Sequence, residues 1–119
     1  MKTFRFFDFP VYGQAKRCYR NILIISLRVQ DYSFRDQIKR AALSVILNIA
    51  EGSAKKSDKD FAKFLEISIA SANEVVACLD IMHDFKKISD KELEALKENL
   101  ESIVKQLGGF IKNLRSYSQ

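Results

Sequence analysis

The chain has few of the residues that enzymes and metal sites need. Its 119 residues include one histidine and no tryptophan, and no Gly-x-Ser-x-Gly, phosphate-loop or dinucleotide-binding motif occurs. Asp80 and His83 have the spacing of one carboxylate-histidine pair of a di-iron bundle, but such a site needs two of these pairs and two further carboxylates. We therefore predict that the protein is not an enzyme and that it holds no metal and no cofactor.

Cysteine, proline and long apolar runs are also scarce. Cys18 and Cys78 lack the short-spaced partners of zinc and redox motifs, so we expect two reduced thiols that are buried as small hydrophobic residues. No run approaches the roughly 18 apolar residues of a membrane span, and Asp8 and Pro10 interrupt the start before a signal-peptide core could form. These absences favour a cytoplasmic protein that does not contact a membrane.

Apolar residues recur at alternating steps of three and four along four stretches, and each stretch predicts a helix with one apolar face. The most regular stretch is the last one, with Leu93, Leu96, Leu100, Ile103, Leu107, Phe110 and Leu114. Short connections favour antiparallel neighbours, and Ser33 is placed to cap the second helix. The sequence predicts an all-α fold, a single antiparallel up-down-up-down four-helix bundle domain over residues 1–119. The helices are expected at about residues 10–28, 34–51, 58–85 and 90–115.

Turn residues mark the boundaries of the later helices. We expect Gly52 to end the second helix in a left-handed conformation. Ser57 or Asp58 would then cap the third helix. Ser89, with Glu92 three residues later, predicts a capping box at the start of the fourth helix.

Excess apolar surface near the start of the chain predicts a homo-oligomer. The run Ile22–Ile25 is apolar on more than one side of its helix, as expected of a helix that is central in its domain or covered by another subunit. Four phenylalanines precede this helix, at Phe4, Phe6, Phe7 and Phe9. We expect this cluster to pack over a bundle end or into a neighbouring subunit.

Positive charge is concentrated in the first half of the chain. Residues 1–57 carry eleven Lys or Arg against four acids, a net charge of +7, whereas residues 58–119 carry nine against eleven, a net charge of −2. Such an asymmetry suits contact with an anionic polymer or with acidic residues of another subunit, and it also fits a plain solvated face. The candidate nucleic-acid-binding residues are Lys16, Arg17, Arg20, Arg35, Lys39, Arg40, Lys55 and Lys56. Without a base-reading motif, we expect phosphate contacts that are salt-sensitive and nearly independent of nucleotide sequence.

The most distinctive segment is Ser44–Ser53, near the end of the second helix. Asn48 and Glu51 follow at steps of three from a core position, so both are expected at the edge of the core. One interpretation is structural: the two side chains hydrogen-bond the turn after Gly52, with Glu51 meeting the amides of residues 57–59. The other interpretation is a polar pair that faces a ligand at a bundle end.

Nearly the whole chain resembles the small bacterial 23S ribosomal RNA intervening-sequence proteins, also called four-helix bundle proteins. The resemblance is carried by six segments: Phe6–Ala15, Gln37–Ser44, Asn48–Gly52, Lys55–Ser57, Phe61–Leu65 and Ala70–Glu74. It implies a left-handed bundle that often assembles as a ring of five. It also implies a gene within an insertion in a large-subunit ribosomal RNA gene, or one that stands alone. A related branch, the accessory proteins of diversity-generating retroelements, forms a basic pentameric barrel that works with a reverse transcriptase and its RNA.

The family offers no established catalytic residues, and the chain departs from its pattern in two places. Many relatives have proline and a small residue where this chain has Ile46 and Leu47, which puts a kink in the second helix in doubt. Many also have glycine where this chain has Phe85 or Lys86, which suggests a differently shaped turn before the fourth helix.

Two functional hypotheses follow. The first is a non-enzymatic, ring-forming bundle that binds RNA or another nucleic acid through a basic surface of the first and second helices. The second is an assembly or adaptor protein whose basic face meets a partner protein, as an accessory subunit to an enzyme such as a reverse transcriptase.

Overall fold

The computed structural model describes residues 2–117. A short 3-10 turn at Arg5–Asp8 precedes four helices. The helices are α1 (Pro10–Ser26), α2 (Tyr32–Ser53), α3 (Asp58–Asp84) and α4 (Asp90–Tyr117). Residues 2–117 contain no strand, so the all-α fold is confirmed. Each helix packs against two others, in the cyclic order α1, α2, α3, α4, and the bundle measures 47 × 21 × 20 Å.

The apolar stripes of the four helices meet along the bundle axis, as their periodicity predicts. Ile22 of α1, Ile49 of α2, Leu65 of α3 and Leu107 of α4 are among the fully buried side chains. Ser68 is also fully buried, and its hydroxyl donates to the carbonyl oxygen of Val45 at 2.8 Å. This hydrogen bond satisfies the hydroxyl and joins α3 to α2 across a close contact.

The two cysteines contribute to this core. Cys18 and Cys78 are both buried and free, which confirms that they pack as small hydrophobic residues. Burial raises the pKa of the Cys18 thiol to about 11, because the thiolate would lose its hydration.

The cap of α2 differs from the prediction. The Asp31 carboxylate, not the Ser33 hydroxyl, accepts a hydrogen bond from the amide of Phe34, at 3.0 Å. Ser33 therefore lies inside the first turn of α2. For α3, the Ser57 hydroxyl accepts from the amide of Asp60 at 3.1 Å, so Ser57 is the cap.

Gly52 does not end α2 in a left-handed conformation, so that prediction is wrong. No glycine among the described residues has a positive φ, and α2 continues through Gly52 to Ser53. A Cβ atom on Gly52 would lie 2.7 Å from the Cβ of Phe64 and 3.0 Å from Cδ1 of Phe61. Glycine is needed here because α3 approaches the backbone of α2 too closely for any side chain.

The turn between α3 and α4 contains a left-handed residue although no glycine is present. Lys86 has a φ of 59°, and the Lys87 amide donates to the carbonyl of Met82 at 2.9 Å, as in a Schellman motif. The turn thus uses the conformation that glycine favours without a glycine in it. The capping box that follows is confirmed, because the Ser89 amide donates to Glu92 and the Glu92 amide donates to the Ser89 hydroxyl.

The phenylalanine cluster divides into a packed part and an exposed part. Phe9 packs against Phe61 and Phe110, with ring centres 6.3 and 5.1 Å apart, and this contact covers one end of the bundle. Phe4 and Phe7 remain 63% and 64% exposed. Among the helices that the structure describes, none combines the length and apolar character needed to cross a bilayer.

Candidate nucleic-acid interface

The cations of α1 lie on its outer face. The helix carries Lys16, Arg17 and Arg20 and no acidic residue, and all three side chains are exposed. Lys16 Nζ lies 4.7 Å from the centre of the Tyr12 ring, so cation–π attraction positions the ammonium without neutralising it. The outer face of α1 therefore presents three positive charges that no acid of the same helix offsets.

Polar contacts show which flanks of α1 and α2 border the groove between them. Gln14 Nε2 donates to an asparagine side chain of α4 at 2.8 Å, and Gln37 Nε2 donates to a glutamate of α3 at 2.5 Å. Lys16 follows Gln14 by two residues, and Lys39 follows Gln37 by two. Two residues correspond to a rotation of about 200° around the helix axis, so each lysine is on the side of its helix opposite to the glutamine. Lys16 and Lys39 are therefore on the flanks of α1 and α2 that face each other across this groove.

Arg20 is exposed one turn after Lys16 on α1. Arg20 lies six residues before the end of α1, and Lys39 lies seven residues after the start of α2. At 1.5 Å per residue, both lie about 10 Å from the same end of the bundle. Arg20 therefore lies at the same level of the bundle as Lys39, and we call Lys16, Arg20 and Lys39 the groove cations.

Two other cations of α2 have local partners. The Arg35 guanidinium lies 5.8 Å from the centre of the Tyr32 ring, which leaves its charge available. Arg40 Nε donates to the Asp36 carboxylate one turn away at 2.7 Å, so its charge is partly offset within α2. Of the two, only Arg35 forms no ion pair among the described contacts.

The lysines of the turn between α2 and α3 are separate from the groove cations. Lys55 Nζ lies 4.8 Å from the centre of the Phe64 ring, and Lys56 is exposed. Both follow the end of α2, about 20 Å along the bundle from Lys39. The predicted residues thus form two groups, one along the α1–α2 groove and one at the end of the bundle.

Asn48 does not hydrogen-bond the turn after Gly52, so the structural interpretation of this residue was wrong in its partner. Asn48 Nδ2 donates to the carbonyl oxygen of Ser44 at 2.9 Å and to its hydroxyl at 3.0 Å. The Ser44 hydroxyl also pairs with that of Ser71 on α3 at 2.8 Å. Asn48 therefore supports a polar contact between α2 and α3.

Glu51 is exposed, and within residues 2–117 no hydrogen bond joins it to the amides of residues 57–59. The start of α3 is capped by Ser57 instead. Within the segment, the packing of Gly52 and the Ser44–Ser71 contact therefore join α2 to α3, whereas Glu51 is exposed.

The sequence indicated the phenylalanine cluster at the start of the chain, but it did not predict that part of this cluster stays exposed in the single chain. Arg5 anchors the 3-10 turn, because its Nε donates to the carbonyl oxygen of Ser53 at 2.9 Å and its guanidinium lies 5.0 Å from the centre of the Phe61 ring. Phe4 and Phe7 flank Arg5 on the outside of this turn. The alternation of aromatic and basic residues in Phe4–Phe7 was the available signal.

His83 pairs with a different carboxylate from the one that its spacing suggested. His83 Nε2 lies 2.5 Å from Asp90 Oδ1, across the turn between α3 and α4. In the described part of the chain, no group of three or more His, Cys, Asp or Glu side chains could hold a metal ion.

An apolar pocket of about 350 Å³ lies at the end of the bundle away from the chain start. It is lined mainly by Val29, Phe34, Ile81, Met82 and Phe85, with Asp31 and Lys87 at its edge. The sequence did not predict this pocket, because its walls come from two separate segments, residues 29–34 and 81–87, that meet only in the folded bundle.

Comparisons with known proteins support the resemblance seen in the sequence. A crystal structure of a protein of unknown function from the S23 ribosomal protein family of Bacteroides thetaiotaomicron is similar in fold, with a TM-score of 0.80 and 24% identity. The similarity covers 86% of this chain and 98% of that one. No curated protein matches the chain. The family model described as 23S rRNA-intervening sequence protein matches residues 8–109, and the chain therefore belongs to that family.

Proposed function

We propose that this protein is a non-enzymatic helical bundle that assembles with copies of itself and binds RNA through the α1–α2 groove. The observation that carries RNA binding is the outer face of α1, where three exposed cations stand without an acid in the same helix. Lys39 adds a fourth charge across the groove. The family's name, which refers to intervening sequences of 23S rRNA, also favours RNA as the anionic partner.

The arrangement predicts the kind of binding. Lysine and arginine side chains along a groove contact phosphates, and nothing in the groove presents a set of groups that would read bases. We expect affinity that falls steeply with salt and depends little on RNA sequence.

Replacing the groove cations tests this proposal. We expect Lys16→Gln/Arg20→Gln/Lys39→Gln to weaken binding to a structured RNA, measured by gel shift or fluorescence anisotropy between about 50 and 200 mM salt. The slope of log affinity against log salt should fall by about 2 to 3, because each lost phosphate contact contributes about 0.7 to 0.9. The matched control, Lys86→Gln/Lys87→Gln/Lys91→Gln, removes equal charge elsewhere and should bind like the parent.

Failure of the pure parent protein to bind RNA at low salt would refute the proposal. Binding that does not respond to salt would refute it as well.

Self-association is supported by where the exposed apolar side chains lie. Ile24 and Leu27 near the end of α1 are 60% and 73% exposed, and Leu47 on α2 is 52% exposed. Ile67 and Ile81 add to this surface from α3. Among side chains that the structure describes, α4 contributes no large exposed hydrophobic residue. We infer that subunits meet through α1, α2 and α3 and that α4 faces solvent.

The apolar pocket favours a second candidate function, that of an adaptor for a partner protein. Its walls would accept an apolar side chain of such a partner. A pull-down from nuclease-treated lysate, with Ile81→Asp as the comparison, tests this candidate. A protein that is retained by the parent chain and lost with Ile81→Asp would favour the adaptor over RNA binding.

A further inference from the structure

Folding concentrates the positive charge at one end of the bundle. The half that contains the chain start comprises residues 2–17, 43–71 and 104–117, with eleven Lys or Arg against five acids, a net charge of +6. The other half, residues 18–42 and 72–103, has nine against ten, a net charge of −1. We call the first half the basic end. An anionic ligand is therefore drawn to it in preference to the opposite end.

Two aromatic rings stand in solvent at this basic end. Phe4 and Phe7 keep more than half of their surface exposed, although each could have gained stability from burial. The rings are held in place: Phe7 stacks on Phe6 with centres 4.6 Å apart, and Tyr12 meets Phe7 edge-on at 5.9 Å. Phe6 thus covers one face of Phe7, and much of the ring remains open.

The 3-10 turn that carries these rings is fixed beside the lysines of the α2–α3 turn. Arg5, which lies between Phe4 and Phe7, donates to the carbonyl oxygen of Ser53 at 2.9 Å. Ser53 is the last residue of α2, and three exposed lysines follow it closely in the chain, at Lys55, Lys56 and Lys59. Open aromatic faces and unpaired ammonium groups therefore share one end of the bundle.

This combination fits single-stranded nucleic acid. Bases in a duplex are stacked on one another and hide their faces, whereas an unpaired strand can lay a base on an aromatic ring while its phosphates contact lysines. The charged residues among the rings, including the Lys2 and Asp8 pair at 2.8 Å, interrupt the apolar surface and make it unlike a membrane-inserting patch.

We propose that the basic end binds a single-stranded segment of RNA, with bases stacked on Phe4 and Phe7 and phosphates held by Lys55, Lys56 and Lys59. The inference rests on the proposed RNA-binding function and adds a second contact region to the groove cations. It assigns unpaired nucleotides to the end of the bundle.

The test compares a short fluorescein-labelled oligouridine with a duplex RNA of equal length, by fluorescence anisotropy. We expect Phe4→Leu/Phe7→Leu to weaken binding of the single strand by about fivefold or more, because leucine keeps apolar bulk but removes the stacking face. The salt slope should not change in this variant. Lys55→Gln/Lys56→Gln/Lys59→Gln should instead lower the slope by about 2.

The matched control uses the opposite end of the bundle. Phe85→Leu replaces another exposed aromatic residue, and it should leave single-strand binding unchanged. Circular dichroism of each variant checks that it is folded, and light scattering checks that its mass is that of the parent.

The outcomes separate this inference from the proposed function. If the parent protein binds neither the oligouridine nor the duplex RNA, both the proposed function and this inference are refuted. A parent that binds single strands, but loses affinity only in the groove-cation variant and not in the phenylalanine variant, overturns this inference and leaves the proposed function standing. The inference is also overturned if Phe4→Ala/Phe7→Ala lowers the mass of the assembly, because the rings would then lie in a subunit contact. It is overturned as well if the rings are needed for binding to anionic vesicles and not for binding to RNA.

Discussion

At the scale of single residues, the positions that matter most are those where two helices come very close. Gly52 lies where α3 leaves no room for a Cβ atom, and Ser68 of α3 bonds directly to a backbone carbonyl of α2. Ser44, which accepts from Asn48, adds a second polar link between α2 and α3 through the hydroxyl of Ser71. The distinctive segment of the sequence is therefore the one that sets the α2–α3 distance.

We expect Gly52→Ala to destabilise the fold. Alanine favours the helix by about 1 kcal/mol over glycine, but its Cβ would lie 2.7 Å from the Cβ of Phe64, and overpacking of this kind costs about 1–3 kcal/mol. Urea unfolding followed by circular dichroism measures the change in the free energy of unfolding.

Gly109→Ala is the matched control for this substitution. Gly109 is inside α4, and apart from its chain neighbours and the nearby backbone of α4, no atom lies within 4 Å of the place where its Cβ would be. Helix propensity then acts alone, and we expect stabilisation of up to about 1 kcal/mol in a single subunit. Equal effects at Gly52 and Gly109 would show that the α2–α3 contact yields to a methyl group.

At the scale of elements, one ion pair joins the end of α1 to the start of α4. The Arg28 guanidinium meets the Glu92 carboxylate through two contacts of 2.9 Å, and Glu92 also accepts from the amide of Ser89. These bonds, with that from Arg28 as the largest cause, lower the pKa of Glu92 from 4.5 to about 2. Arg28 also donates to the carbonyl oxygen of Lys87, so it holds the turn before α4 as well.

The ion pair should make stability depend on pH in the acid range. A carboxyl whose folded pKa lies below its unfolded value stabilises the fold above the unfolded value, and that stability is lost as pH falls. For Glu92 this stability is lost as the pH falls from about 4.5 to about 2. Glu92→Gln should therefore have a lower Tm than the parent above pH 5, with the difference shrinking towards pH 2.

Glutamine keeps the capping-box hydrogen bond, so this substitution isolates the charge. Glu98→Gln, an exposed site on the same helix that forms no ion pair among the described contacts, is the control and should leave the Tm curve of the parent unchanged. A difference between Glu92→Gln and the parent that stays constant from pH 7 to the acid limit would contradict the assignment. Because both partners are partly exposed, added salt should reduce the difference.

At the scale of the whole molecule, the outer surface is uneven. Three helices present apolar side chains such as Leu47, Ile67 and Ile24 to solvent in a single copy, whereas the outer face of α4 is dominated by charged residues. One copy thus resembles a subunit whose α1, α2 and α3 surfaces need covering.

Leu47→Glu should reduce the size of the assembly without unfolding the bundle. The side chain is half exposed and lies on the outer face of α2, so a glutamate costs little in one subunit but places a charge in an apolar contact between subunits. Light scattering measures the mass, and circular dichroism the helix content. Ile24→Glu should behave in the same way, because Ile24 is not in the core.

The control is Ala95→Glu on the exposed face of α4, which should keep the mass of the parent. An unchanged mass in both Leu47→Glu and Ile24→Glu would refute the proposed subunit contacts. A parent that is already a monomer would refute self-association altogether.

The sequence by itself determined the four helices, their buried faces and the capping box at Ser89, because apolar periodicity and local hydrogen-bonding side chains act within a few residues of chain. It narrowed the cap of the third helix to Ser57 or Asp58, and the structure identifies Ser57. It also identified the family. The cap at Ser33 and the left-handed conformation of Gly52 were predicted incorrectly, because the choice of cap depends on local backbone geometry and a close approach depends on the neighbouring helix.

Only the tertiary structure decided where the charges and aromatic rings lie relative to one another. The sequence divides the charge between its first and second halves, but antiparallel packing brings residues 2–17, 43–71 and 104–117 to one end of the bundle. The same packing separates Lys55 and Lys56 from the groove cations and leaves Phe4 and Phe7 exposed beside the α2–α3 turn. These relations join residues far apart in the chain, so no local pattern could have specified them.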